Sequence, residues 1–183
     1  MKKSLFLFCF LLTSITINSQ ETKEKPDAYL EKVKTLDSTV ETLYSVISGE
    51  KGEVRDWKLF KYLFKPEAKL IPTGKNNDGE FMVRYMTPDD YVKGSEKWLV
   101  ENGFFEKEIF RKTESFGSIA HVFSTYESYN NESDKNPLTR GTNPYMRGIN
   151  SIQLLNDGQR WWIINIYWTQ ETDQNPLPRK YLK

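Results

Sequence analysis

Hydrophobic residues recur at helical spacing through the first half of this chain and at alternating spacing through the second. In "AYLEKVKTLDSTVETLYSVISGEKGE" the residues Leu36, Val40, Leu43, Tyr44 and Ile47 fall on one helical face, and Gly49 and Gly52 end the run. "RDWKLFKYLFKPEAKL" predicts a second, shorter helix, with Asp56 placed to cap it, Trp57, Phe60 and Phe64 on one stripe, and Pro66 to stop it. "KLIPT" and "EFMVRYM" read as short strands joined by the turn "GKNNDG". "TPDDYVKGSEKWLVENG" predicts a third helix: Thr87 is the cap, Pro88 the first helical position, and Gly103 the end. From Phe104 onward the period changes to two. "FFEKEIFRKTES" and "SIAHVFSTYESY" flank Phe116-Gly117, while "GINSIQLL" and "QRWWIINIYWTQE" flank "NDG", which predicts two antiparallel hairpins. The polar loop "NNESDKNPLTRGTNPYMR" lies between them, and loops of that length are usually functional or mobile.

Strand periodicity then assigns faces. A three-residue turn at "NDG" pairs Leu155 with Gln159 and puts Asn150, Ile152 and Leu154 with Trp162, Ile164 and Ile166 on a helix-facing core. A four-residue loop slips the register by one and reverses that grouping. Trp161, Ile163 and Tyr167 are left for the opposite face. In the other hairpin, a two-residue turn at Phe116-Gly117 groups Glu108, Phe110 and Lys112 with His121, Phe123 and Thr125. It sets Ile109, Arg111 and Thr113 with Ala120, Val122 and Ser124. Both faces mix apolar and ionisable residues, as expected of strands that cross from a core into a polar pocket.

The N-terminus and composition bound the compartment and the partners. "MKK", the apolar "LFLFCFLLTSITI" and "NSQ" read as a secretory signal peptide over residues 1–19, with the mature chain starting at Gln20. The apolar run is shorter than the roughly 20 residues of a spanning helix. Cleavage takes away Lys2, Lys3 and the lone Cys9, leaving 24 basic against 25 acidic residues. That balance gives no general attraction to nucleic acid or anionic membranes. A mature chain without cysteine depends on packing alone. The expected organisation is a charged tether over 20–35, one domain over 36–171, and an extended tail over 172–183, in the periplasm or outside the cell.

The element order, with "RDWKLFKYLFKPEAKL", "FGSIAHVFSTYES" and "RGINSIQLLNDGQRWWIINIYW", resembles the NTF2-like superfamily and its SnoaL-like branch. The resemblance implies an α+β fold: a bent antiparallel sheet wrapped around three N-terminal helices, with a pocket at the wide end of the cone. It also implies a homodimer through the outer sheet face.

Candidate chemistry is sparse. His121, the one histidine, reads either as a pocket acid/base or as a structural histidine held by a carboxylate or carbonyl. Asp56 is a pocket carboxylate or a helix cap paired with Arg55. Glu108 is a partner for His121 or part of an exposed charged edge. Trp57, Phe60, Tyr85, Tyr91, Trp98, Trp162 and Trp168 belong to the core or to a box for a flat, mostly apolar ligand whose polar edge meets His121 or Asn150. Arg140 and Arg147 border the long loop, and Asn131-Glu132-Ser133 is a glycosylation triplet. No phosphate loop, nucleophile elbow or metal motif is present, so neither cofactor nor metal is expected. Three functions follow. The first is a secreted small-molecule-binding protein without assigned catalysis. The second is an isomerase, hydratase or cyclase using His121 with Asp56 or Glu108 as acid and base. The third is a ligand-free dimerisation module.

Overall fold

The computed structural model describes residues 28–131 and 144–182. The leader, the first eight tether residues, Arg140 and most of the polar loop, including Glu132 and Ser133, lie outside them.

Local capping chemistry sets the helix starts. Helix α1 (Leu36–Ile47) begins at Thr35, whose hydroxyl accepts from the Ser38 amide while the Ser38 hydroxyl accepts from the Thr35 amide. A 3-10 turn at Leu30–Val33 precedes it, and Val33 is fully buried. The packed unit therefore begins before Leu36, inside the stretch read as tether. Helix α2 (Trp57–Tyr62) starts where Asp56 accepts from the Leu59 amide at 2.8 Å. It ends ahead of Phe64, which opens a strand and does not continue the helical stripe. Helix α3 (Pro88–Asn102) has the expected Thr87 cap and stops at Gly103, where φ is +73°. An added Cβ there would sit 2.8 Å from the Asn130 carbonyl oxygen, so glycine is required twice over.

Six strands form one sheet: β1 (Phe64–Lys75), β2 (Phe81–Val83), β3 (Phe105–Phe116), β4 (Ile119–Tyr129), β5 (Met146–Asn156) and β6 (Trp161–Gln170). Their order is β2-β1-β6-β5-β4-β3, antiparallel except where β1 runs parallel to β6. The helices pack on one face. Val40, Leu43 and Ile47 of α1, Phe60 of α2 and Leu99 of α3 meet Val122, Ile152, Leu154, Ile163 and Ile166 of the sheet. Each large side chain buried there contributes roughly 1.5–3 kcal/mol.

The hairpins depart from strict alternation in two places. The β5–β6 loop has four residues, Asp157 to Arg160, with Asn156 opposite Trp161. Asp157 organises it by accepting from the Gln159 and Arg160 amides at 3.0 Å and from the Trp162 indole at 2.6 Å. These bonds pull the Asp157 carboxyl down to about pH 2, the indole bond first. The slip alone would reverse both faces. A bulge undoes it further along, because Leu154 faces Ile163 and Gln153 faces Asn165, leaving Ile164 as the extra residue. Asn150, Ile152 and Leu154 thus share the inner face with Ile163, Ile166 and Trp168, while Trp162 moves to the outer face.

A second bulge sits in β3. The turn is at Gly117-Ser118, one residue later than expected, and Phe116 faces Ile119. Glu108 faces Tyr126 while Phe110 faces Thr125, so Ile109 is the extra residue. Phe110 and Lys112 stay with Phe123 and His121, as expected. Glu108 does not, because the bulge turns it and Glu106 inward.

The outer face is also less apolar than strict alternation implies. Ile163 is fully buried and Trp161 packs against the core, so only Tyr167 of the expected trio remains exposed, at 49%. The C-terminal tail covers part of this face. Leu177 donates its amide to Glu171, and a 3-10 turn at Arg179–Tyr181 places Tyr181 on Phe123, with ring centroids 5.1 Å apart.

Candidate functional site: a carboxyl in an aromatic cavity

A cavity of about 300 Å³ lies between the three helices and the inner sheet face. Helix α1 contributes Leu43 and Ile47, α2 contributes Phe60, and α3 contributes Tyr91, Ser95, Trp98 and Leu99. Phe104, Tyr126, Met146, Ile166 and Trp168 close it from the sheet side. Phe60 and Tyr91 stack at 5.1 Å, and Trp98 meets Phe104 edge-on at 6.3 Å. The volume is at the small end of the roughly 300–1,000 Å³ typical of ligand sites.

On the sheet side two polar side chains interrupt this apolar wall, Glu106 and Asn150, and Ser95 adds a hydroxyl from α3. Glu106 is held at the start of β3, where its amide donates to the Ser48 hydroxyl at 3.0 Å, just past the end of α1. Its carboxylate accepts from the Ser128 hydroxyl at 3.1 Å and from the Asn150 side chain. Asn150 also donates to the Tyr44 hydroxyl at 3.1 Å, and Tyr44 shares a 2.6 Å hydrogen bond with Ser124. Ser124 donates in turn to Glu108. A continuous hydrogen-bonded chain therefore runs from the cavity wall to the rim of α1.

The two glutamates, only two residues apart, have opposite electrostatics. Glu108 receives three bonds from Arg111 at 2.6–3.0 Å, and Arg111 reaches Asp37 as well. Glu106 forms no ion pair with any described lysine or arginine. Burial pushes its carboxyl up to about pH 7, against the two hydrogen bonds that favour the anion. The hydroxyls of Tyr44, Tyr91 and Tyr126 are pushed up as well, by burial first and by the Glu106 charge second. They remain neutral donors. The cavity thus offers one carboxyl that can be charged or neutral near neutral pH, among neutral donors and aromatic faces.

Of the residues expected at a site, Phe60, Tyr91, Asn150 and Trp168 line this cavity. The others, Trp98 excepted, do not join them. His121 stands exposed on the outer face with its Nε2 2.8 Å from the Ser151 hydroxyl, because its parity in β4 is opposite to that of Val122 and Ser124. Asp56 caps α2 and accepts from the Tyr29 hydroxyl at 2.9 Å, and Glu108 is bound to Arg111. These three acid/base candidates are on separate surfaces and form no constellation. Trp57 bonds Glu96 and packs edge-on against Phe60 from outside the cavity. Tyr85 is 68% exposed. Trp162 stacks on Arg160, 3.6 Å from its guanidinium carbon, on the outer face. Arg147 is paired with Glu171 at 2.7 Å. Among the described residues no cluster of three His, Cys, Asp or Glu side chains is placed to hold a metal ion. No helix among them is long and apolar enough to cross a membrane.

Trp98, weighed with the other aromatics, also lines the cavity, whereas sequence reasoning missed Glu106, Phe104, Tyr126 and Met146. One available signal was the pair of serines flanking Tyr126 on the inward face of the facing strand, Ser124 and Ser128, which suits carboxylate partners.

No protein-family model matches the sequence, and neither does any curated protein. Solved structures do match. A protein of unknown function with a cystatin-like fold from Nostoc punctiforme is 11% identical, with 75% of this chain and 89% of that chain covered, at a TM-score of 0.53. A protein of unknown function from Mycobacterium tuberculosis is 11% identical over 76% and 72% of the two chains, at 0.54. An NTF-2 like protein of unknown function from Silicibacter pomeroyi is 18% identical over 74% and 92%, at 0.48. The fold is cystatin-like. The α+β expectation, helices packed on one face of a mostly antiparallel sheet, therefore holds.

Proposed function

We propose that this chain is a secreted NTF2-like protein of the SnoaL-like kind that holds a small, mostly apolar molecule in the helix–sheet cavity, with no catalytic activity assigned. The observation that supports this most is a polar pair, Glu106 and Asn150, set in a wall that is mostly aromatic and aliphatic. Such a pair orients a ligand that the apolar surface binds.

Tryptophol, a neutral indole alcohol of suitable size, is a direct probe by titration calorimetry. Ser95 lies half-buried on the cavity wall, so Ser95→Phe directs a ring into the empty space. The variant should melt within a few degrees of the native protein and bind tryptophol at least about tenfold more weakly, a change of about 1.4 kcal/mol. Equal binding by both proteins would overturn this use of the cavity.

The same reading includes export and self-association. A mature N-terminus at Gln20 is tested by sequencing the exported protein; a retained leader would refute it. Homodimerisation through the outer face is supported by exposed Tyr167, with Phe116 and Ile119 exposed at the β3–β4 turn. Light scattering at micromolar concentration should give twice the chain mass, and a monomer mass would count against the dimer.

A further inference from the structure

We infer that the cavity takes a cationic amphiphile: a flat aromatic or cyclic amine whose ammonium group pairs with Glu106 and whose ring lies among Phe60, Tyr91, Trp98 and Trp168. The inference deepens the small-molecule reading above and rests on it.

Charge alone narrows the ligand class. Among the described residues Glu106 is the one carboxyl in the cavity wall, and no described lysine, arginine or histidine lines it. A carboxylate, sulfate or phosphate ligand would enter a desolvated space facing a like charge with no cation to receive it. Anions are therefore excluded. Neutral ligands remain admissible by volume, but they leave the Glu106 anion with only Ser128 and Asn150 as partners.

A protonated amine changes that balance. It supplies the missing counter-charge at hydrogen-bond distance, and the surrounding rings present their negative faces to it. The Phe60–Tyr91 and Trp98–Phe104 pairs supply aromatic rings to the wall of the carboxyl's cavity. The neighbouring hydroxyls of Tyr91 and Tyr126 stay protonated, so they do not compete as anions for the cation. Glu108, the other inward carboxylate, is already neutralised by Arg111. Glu106 is thus an inward carboxylate without a lysine or arginine partner among the described residues.

Proton linkage gives this class of ligand a signature. With the carboxyl titrating at about 7, roughly one-tenth of the free protein carries the Glu106 anion at pH 6 and roughly nine-tenths at pH 8. An amine of pKa near 10 stays protonated over that range. Its affinity should rise about ninefold from pH 6 to pH 8, with proton release on binding at pH 6. A neutral hydrogen-bond acceptor would show the reverse trend, because it prefers the protonated acid.

Three indoles of similar size separate the outcomes: tryptamine, tryptophol and indole-3-acetate, titrated calorimetrically at pH 6 and pH 8. Tryptamine should bind the native protein at pH 8 at least about tenfold more tightly than tryptophol, and indole-3-acetate should bind most weakly. Glu106→Gln should weaken tryptamine binding to the level of tryptophol and remove its pH dependence. If tryptophol equals tryptamine at pH 8, or tryptamine binding ignores pH, the amine assignment fails while the cavity reading stands. The native pH series decides this even if the variant folds poorly. If none of the three binds the native protein, the cavity reading fails and this assignment with it.

Discussion

Glu106→Gln should make the protein more stable at pH 8 and flatten its stability between pH 5 and pH 8. The folded-state pKa of Glu106 is raised from 4.5 to about 7, with burial as the first cause. Between those values the unfolded chain has released the proton and the folded chain still holds it. Stability therefore falls as pH rises through this window and levels off above about 7. A shift of that size corresponds to up to about 3 kcal/mol, since each pKa unit is about 1.4 kcal/mol. Glutamine keeps the hydrogen bonds of Ser128 and Asn150 in reach but carries no charge to desolvate. The variant should gain most of that amount at pH 8 and little at pH 5, about 5–10 °C in melting temperature for a chain of this size. Asp157 and Glu171, whose carboxyls are depressed, titrate below the window and act in the opposite direction there. Urea or thermal melts of the two proteins at pH 5 and pH 8 measure the effect. Parallel pH profiles would mean that Glu106 is not held in a desolvated site. A charge kept where it destabilises the fold is what a binding residue looks like, because nothing in folding selects for it.

The largest loss should come from Arg55→Met. Arg55 is only 4% exposed, yet its guanidinium is turned wholly toward backbone carbonyls. Nε donates to Ile47 at 3.0 Å, and Nη2 donates to Gly49 at 2.7 Å and Leu99 at 3.3 Å. Nη1 donates to the carbonyls of Glu50 and Glu53. Ile47 ends α1 and Leu99 lies in the last turn of α3, so one cation satisfies the negative ends of two helices at once. Methionine matches the stem and removes all five donors. Five carbonyls would lose the guanidinium together, those of Gly49, Glu50 and Leu99 keeping one backbone amide each, and about 2–4 kcal/mol of stability should go with it. Because Ile47 and Leu99 also line the cavity, tryptophol binding should weaken in the same variant. Urea denaturation gives the number, and a loss below about 1 kcal/mol would show that water replaces the guanidinium. The close fit also explains Gly49, where an added Cβ would sit 2.6 Å from the Arg55 Nη1.

Arg55 illustrates what was hard to see in the sequence. Next to Asp56 it reads as half of an exposed pair, but the two side chains point to different tasks. Asp56 does what its position before an apolar stripe suggests, because a cap acts on amides three residues away. Arg55 acts on Leu99, 44 residues distant, and no local pattern reveals that.

The same division runs through the molecule. Local sequence by itself determined the Asp56 cap of α2, the Thr87 to Gly103 limits of α3, the four long strands and hence the cystatin-like order of elements. Caps, glycines with positive φ and periodicity act over a few residues, so a linear reading captures them. Tertiary structure alone decided which side chains face the cavity. In β3 and β6 the alternation is broken by one extra residue each, Ile109 and Ile164. Both are ordinary β-branched strand residues with no local mark of a bulge. Each bulge arises where two registers meet: one set by the turn, the other by packing of the strand against the helices. Their position depends on the paired strands and on the volume of the core, not on their own neighbours. That is why Trp162 and Glu108 were assigned to the wrong faces, and why Glu106 emerged as the cavity's acid only once β3 was paired with β4.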